Sequence, residues 1–316
     1  MRRAALIYNP VSGQHSARRR SAIENVLAVF REAGVAVEAL QTQSAGDATV
    51  HAREAAGKGF DTVIACGGDG TVHEVVQSLV GTEVALGVIP LGTANALAAN
   101  LGLTGGPVKV ARRLLQAAPQ RISVGRIAYR SLNGEPGTRY FVVAAGIGAD
   151  ALVMSRMDAR LKRRLGYVLY LIECFRTWAT FSYPLFEAAL PANGNGGSRV
   201  VDVSELLAVR VRSFGGVLGS LAPGASLTNG NLQLLAFKTR SRLHYLTFLL
   251  AAIAGRHTFN GAVELIETPR IECRSNNGYD EPLLVEADGE LLGSLPVQLE
   301  IVPHSLNVLM PPDARP

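Results

Sequence analysis

Residues 66–73 run Cys66-Gly67-Gly68-Asp69-Gly70-Thr71-Val72-His73, CGGDGTVH. The apolar run FDTVIA leads into them, and EVVQSLV follows. The first flank is short and β-branched, which suits a buried strand. The second repeats its apolar residues at helical spacing. Three glycines therefore surround one carboxylate where a strand hands over to a helix. Glycine lets the backbone turn sharply and lets a phosphate approach without a Cβ in the way. The helix beyond offers N–H groups and a partial positive charge. Asp69 would repel a phosphate by itself, and makes sense if it acts through Mg²⁺ or on a hydroxyl. Glycine-rich strand–helix turns also serve packing alone, so this stretch needs support from elsewhere.

Working outward, the first 120 residues alternate strand and helix. RRAALIYNP, VAVEALQT, DTVIACGG and VALGVIPLG read as strands. ARRRSAIENVLAVFREAG, GDATVHAREAAGKG, TVHEVVQSLVG and TANALAANLG read as helices. In the first helix Ile23, Val26, Leu27 and Phe30 share a face, and Gly34 stops it. That alternation implies a parallel sheet covered on both faces. After LLQAAPQR the rhythm becomes short strands broken by Asn/Gly/Pro turns, with a helix or two inserted. The expected organisation is an α/β domain over 1–120 and a β-rich domain over 121–304. Residues 305–316 form a tail that can return to the first domain.

Ligands of an open α/β sheet bind beyond the carboxyl ends of its strands. Two further loops end strands there: YNPVSG, Tyr8 to Gly13, and PLGTANALA, Pro90 to Ala98. Three loops bearing glycines and hydroxyls at one edge point to a nucleotide-phosphate site. The P-loop pattern, a GxGxxG after the first strand and the protein-kinase motifs are all missing.

The 316 residues are 48% hydrophobic and 18% charged, with a net charge of +5. That composition is globular rather than disordered. The three cysteines are scattered and lack CxxC spacing, which suits reduced thiols in a cytoplasmic protein. The apolar N-terminal run is too short for a signal peptide, and Tyr245–Gly255 falls well short of the roughly 20 residues needed to span a bilayer. The histidines have no zinc spacing, no GxSxG elbow is present, and basic residues are not interleaved with aromatics, so nucleic acid is not an expected partner.

NPVSG, GGDGTVHEV and PLGTANALA, in this order and spacing, resemble the diacylglycerol kinase catalytic family, which includes bacterial lipid kinases and sphingosine kinases. TQSAGDA, LGYVLYL, LAPGASLTNGNLQL and the late EADGE extend the resemblance over nearly the whole chain. GGDG alone also occurs in NAD kinases and phosphofructokinases. The resemblance implies an NAD kinase/diacylglycerol kinase-like α/β domain with a parallel sheet, followed by a β-sandwich-like domain. It implies ATP and Mg²⁺ as cofactors and a lipid alcohol, diacylglycerol or a relative, as substrate.

By that resemblance Asn9, Pro10, Ser12, Gly13 and Thr42 line the nucleotide. Gly67, Gly68, Asp69, Gly70 and Thr71 hold the phosphates, and Thr93 adds a hydroxyl. Asp288, Gly289 and Glu290 match the family's DGE, with Glu290 as general base and Asp288 as its partner or a metal ligand beside Asp69. By composition alone EADGE reads as a hairpin turn with solvated acids. Three positions depart from the family: Asn229 replaces a carboxylate of a loop that holds a structural Mg²⁺, His73 replaces an Asn, and Ala96 replaces an acid.

Arg156, Arg160, Lys162, Arg163 and Arg164 precede an apolar helix, a pattern that suits peripheral contact with an anionic inner membrane face or an ordinary solvated helix start. A homodimer is compatible with the sequence. The competing readings are an NAD kinase-like small-molecule kinase and a non-catalytic nucleotide or lipid sensor.

Overall fold

The computed structural model describes residues 1–10, 16–157, 167–191, 199–214, 221–222, 224–254, 261–276 and 282–314. Ser12, Gly13 and the cations at 160–164 lie outside that set. The chain divides into two compact units. One is Met1–Ser123 with Pro303–Pro316, and the other is Val124–Val302.

The first unit runs β1 (Arg3–Tyr8), α1 (Ser16–Glu32), β2 (Ala36–Gln41), α2 (Asp47–Gly57), β3 (Thr62–Gly67), α3 (Asp69–Leu79), β4 (Ala85–Pro90), α4 (Ala96–Asn100) and α5 (Pro107–Leu115). Two long strands cross the unit boundary: β5 (Ala118–Arg130) leaves and β15 (Glu290–Met310) returns. The sheet order is β2-β1-β3-β4-β15, with every pairing parallel. All six residues of β3 are buried, as are the first five of β4. Continuous apolar runs are what a strand needs when helices cover both faces. Edge strand β2 is mostly exposed and carries Glu38 and Gln41. Helix α1 buries Ile23, Val26, Leu27 and Phe30. Because β1 lies between β2 and β3, the connections leaving β1 and β3 diverge. The crevice of an open α/β sheet lies at such a switch point.

The second unit contains β6 (Pro136–Phe141), β7 (Ala144–Ile147), α6 (Ala149–Ser155), α7 (Tyr167–Thr180), β8 (Phe186–Leu190), β9 (Arg199–Val203), β10 (Glu205–Val209), β11 (Leu232–Phe237), α8 (Arg242–Ile253), β12 (Val263–Thr268), β13 (Arg270–Ser275) and β14 (Leu284–Ala287). One antiparallel run is β12-β11-β10-β7-β14-β15, and a second is β9-β8-β13-β15. Strand β15 belongs to both, pairing β14 near its start and β13 farther along. Phe141, Ile147, Phe186, Leu206, Leu234 and Leu299 fill one core between the runs, which is the packing of a β-sandwich. The stretch 201–214 breaks at Ser204, whose N–H and hydroxyl both bond the Phe237 carbonyl.

Candidate functional site

In the first unit the glycines serve a close backbone contact. A Cβ on Gly92 would sit 2.6 Å from the Gly68 Cα, and a Cβ on Gly67 would sit 2.4 Å from Thr71 Oγ1. The loops after β3 and β4 therefore touch main chain to main chain, and the Leu91 N–H donates to the Gly67 carbonyl at 2.8 Å. Asp69 ties them further. Its Oδ2 accepts the Asn95 N–H and its Oδ1 the Ala96 N–H, both at 2.8 Å. The Asn95 side chain grips Gly92 at both ends, accepting its N–H at 2.9 Å and donating to its carbonyl at 2.8 Å. Helix α4 consequently starts at Ala96, not at Thr93 as the sequence pattern suggests. Residues 91–95 become a loop with Asn95 in the left-handed region at φ 49°.

The remaining phosphate candidates cluster unevenly. Gly70 is exposed in the first turn of α3, where N–H groups have no intrahelical acceptor. Thr93 is exposed on the 91–95 loop, while Thr71 is buried against Gly67. Asn9 and Pro10 follow β1 and are half-buried. Thr42 is buried, and both its N–H and hydroxyl reach the Tyr8 carbonyl, at 3.0 and 3.4 Å. It is thus engaged in extending the β1–β2 pairing. In the loop after β2, Asp47 accepts the N–H groups of Gln43 and Ser44 at 2.7 and 2.8 Å, which hold its carboxyl below the usual range.

In the second unit Asp288-Gly289 is the two-residue tip of the β14–β15 hairpin. Ala287 pairs with Glu290, and both tip residues have positive φ, 49° and 84°. Asp-Gly is the dipeptide such a turn favours. The expectation of solvated acids is overturned for Asp288. Its Oδ2 accepts the Val142 N–H at 2.9 Å, and its Oδ1 accepts those of Val143 and Ala144 at 2.8 and 3.0 Å. The carboxylate suggested as a metal ligand anchors the turn through these three main-chain bonds. Glu290 is half-buried at the start of β15.

Sequence reasoning missed three carboxyls behind this turn. Glu286 is buried, accepts the Gly289 N–H at 2.8 Å and hydrogen-bonds Asp150 of α6. Gly146 makes room for the pair, since a Cβ there would lie 2.6 Å from Asp150 Oδ2 and 3.0 Å from Glu286 Oε1. Burial raises both carboxyls above their ordinary range, and two carboxyls bond each other only while they share a proton. Glu205 on β10 accepts the Asp150 N–H and bonds the Tyr245 hydroxyl, and burial first, then the Asp150 charge, push it up to about 8. The legible signal was an acid set in a buried apolar strand, at Glu205 in SELLAV and Glu286 in LVEA.

The loop around Asn229 is held by a guanidinium. Arg210 is fully buried and donates to the carbonyls of Asn231 at 2.8 Å and of Leu227 and Asn229 at 3.1 Å. Asn229 Nδ2 closes the loop on the Gly224 carbonyl at 3.0 Å. Among the described residues no group of three or more His, Cys, Asp or Glu is arranged to hold a metal. The residues fit a Mg²⁺ that arrives with nucleotide phosphates, which supply most of its ligands with water and need few from protein. Asp69, in the first turn of α3 beside the glycine-rich loop contact, suits that part.

The family model for the diacylglycerol kinase catalytic domain matches residues 3–127. That for the YegS C-terminal NAD kinase beta sandwich-like domain matches residues 142–310. A diacylglycerol kinase of Bacillus subtilis is 30% identical over 314 residues, 98% of this chain and 97% of its own. A Chromohalobacter salexigens protein named probable lipid kinase YegS-like is 33% identical over 265 residues, 82% of this chain and 79% of its own. The crystal structure of a diacylglycerol kinase from Bacillus anthracis shares the fold, with a TM-score of 0.70 at 20% identity over 99% of this chain and 98% of that one. No helix among the described residues is long and apolar enough to cross a membrane.

Proposed function

The chain belongs to the family of the diacylglycerol kinase catalytic domain, and from that premise we propose that it transfers the γ-phosphate of ATP to the hydroxyl of a lipid alcohol, with diacylglycerol as the first candidate. The observation that carries this reading is the bracing of Gly67–Asp69 against Gly92–Ala96 at the carboxyl ends of β3 and β4, next to the switch point between β1 and β3. It fixes the glycine-rich turn at the start of α3, whose free N–H groups suit a phosphate. Phosphoryl transfer depends on positioning and charge neutralisation, and a pre-braced loop pair supplies the first. Asp69 would be the protein ligand of a Mg²⁺ that arrives with the nucleotide, and that ion would supply the second. Glu290 takes the proton of the attacking hydroxyl. Asp288 holds the turn that presents Glu290, through its three main-chain bonds.

The test is transfer of labelled γ-phosphate from ATP with Mg²⁺ into diacylglycerol, a sphingoid base and NAD in separate reactions. Label in diacylglycerol is expected. Label in the sphingoid base alone would keep the lipid kinase and change its substrate. Label in NAD alone would replace this reading with a small-molecule kinase. Binding of ATP with no transfer into any of the three would favour a sensor.

A further inference from the structure

Helix α7 is turned inside out. Its apolar residues Val168, Leu171, Ile172 and Phe175 recur at i, i+3, i+4 and i+7, the stripe that a surface helix normally gives to the core. Here they are 56%, 45%, 50% and 67% exposed, while Glu173 and Thr177 are buried with Leu169 on the other side. On that inward side Thr177 accepts from Arg156 Nη1 at 3.1 Å. Helix α8 also exposes apolar residues: Tyr245 stacks on Phe237 and Phe248 meets that ring edge-on, while Leu243 and Leu250 are exposed. The two helices meet where Trp178 Nε1 donates to the Arg242 carbonyl at 2.9 Å and Arg242 Nη2 donates to the Phe181 carbonyl at 3.2 Å. Phe175 contacts Trp178, with ring centroids 5.5 Å apart, so the apolar surface continues from α7 to the start of α8. Contiguous exposed apolar surface of this kind marks an interaction site.

We propose that the exposed face of α7 and the start of α8 is a docking surface for an anionic lipid bilayer. Charge selects this occupant. The two helices contain one acidic residue, Glu173, and it is buried, whereas Arg176, Arg240 and Arg242 on and beside them are exposed. Apolar and aromatic side chains flanked by arginine suit the boundary between headgroups and acyl chains, where each cation also gains from anionic lipid. Trp and Tyr favour that depth because one end of each ring system is polar. A second copy of the same face would set arginines against arginines, so self-association fits less well.

The chain has one tryptophan, and it lies in this surface, so its fluorescence reports docking directly. Nucleotide-free protein is mixed with vesicles of phosphatidylcholine, with and without phosphatidylglycerol, and scored by sedimentation and by Trp178 emission. Binding with a blue shift is expected only with phosphatidylglycerol and should weaken with salt. Leu171→Ser with Phe175→Ser replaces exposed side chains and should weaken vesicle binding by about tenfold or more. Arg176→Gln with Arg240→Gln should remove the preference for phosphatidylglycerol. Wild-type binding by the Leu171/Phe175 variant would overturn the proposal, as would absence of wild-type binding. So would a wild-type dimer that the same substitutions dissolve without any vesicle binding, since it would assign the face to a second copy. Transfer to detergent-dispersed diacylglycerol, measured alongside, should be unchanged in the Leu171/Phe175 variant. Vesicle binding without any transfer by wild type would leave the docking surface standing and overturn only the kinase reading.

Discussion

Asp69 braces two loops, and one substitution tests whether it also has the proposed part in phosphoryl transfer. Asp69→Asn keeps one carbonyl oxygen but turns an amide toward a backbone N–H, so one of the two bonds to Asn95 and Ala96 is lost. A cost of about 1–2 kcal/mol in stability is expected, read by thermal unfolding. Turnover should fall by at least about a hundredfold if, as proposed, the carboxylate holds the Mg²⁺ that neutralises the phosphates. A stability loss with full turnover would confine Asp69 to bracing. Glu290→Gln should lower kcat with little change in nucleotide affinity, measured by steady-state kinetics and direct ATP binding. Glu205 gives a pH signature. Its folded carboxyl titrates at about 8 against an ordinary 4.5, so between those values the native state holds a proton that the unfolded chain has released. Stability therefore falls as pH rises through that window. Glu205→Gln should flatten the fall by up to about 1.4 kcal/mol per pH unit, seen in thermal unfolding across the window. The sequence shows Asp69, Asp288 and Glu290 because glycine surrounds them. It does not show that Asp288 accepts three main-chain N–H groups, because the donors at 142–144 lie some 145 residues away in the chain.

At the scale of elements, the loop 224–231 shows how one contact can stand in for another. Arg210 sends its guanidinium into carbonyls of a loop that lacks an expected carboxylate at Asn229. The expectation is that this buried cation, bonded to carbonyls, holds the loop without a metal. Arg210→Met should cost the second unit about 1–3 kcal/mol, because it removes the bonds to three loop carbonyls, of which that of Leu227 is buried. A chelator should leave the unfolding temperature of the nucleotide-free wild type unchanged. Lowering by the chelator would show that a metal shares the loop. Nothing in the sequence joins Arg210 to this loop, since Arg in a strand ordinarily reads as a surface residue. The strands and helices of the first unit were far more legible. Buried parallel strands need unbroken apolar runs, and VIACG and ALGVI supply them. The start of α4 was misread because periodicity cannot register a cap supplied by a different loop.

At the scale of the whole chain, β15 enters the second unit's pairing at Glu290 and ends in the first unit beside β4. Residues Leu306, Val308 and Met310 are buried there. A chain ending at Val302 should lose the fifth strand of the first sheet, making residues 1–123 sensitive to limited proteolysis while Val124–Val302 stays protected. Survival of both units would show that the returning strand is dispensable. The sequence by itself determined the alternation of the first unit, the three loops at one sheet edge and the DGE turn. Each is a local pattern, set by periodicity or by glycine's conformational freedom. Only the tertiary structure decided which carboxyls are solvated, what holds the 224–231 loop and which way α7 turns its apolar stripe. Those outcomes depend on partners far apart in sequence, and a stripe at helical spacing looks the same whether it faces a core or water.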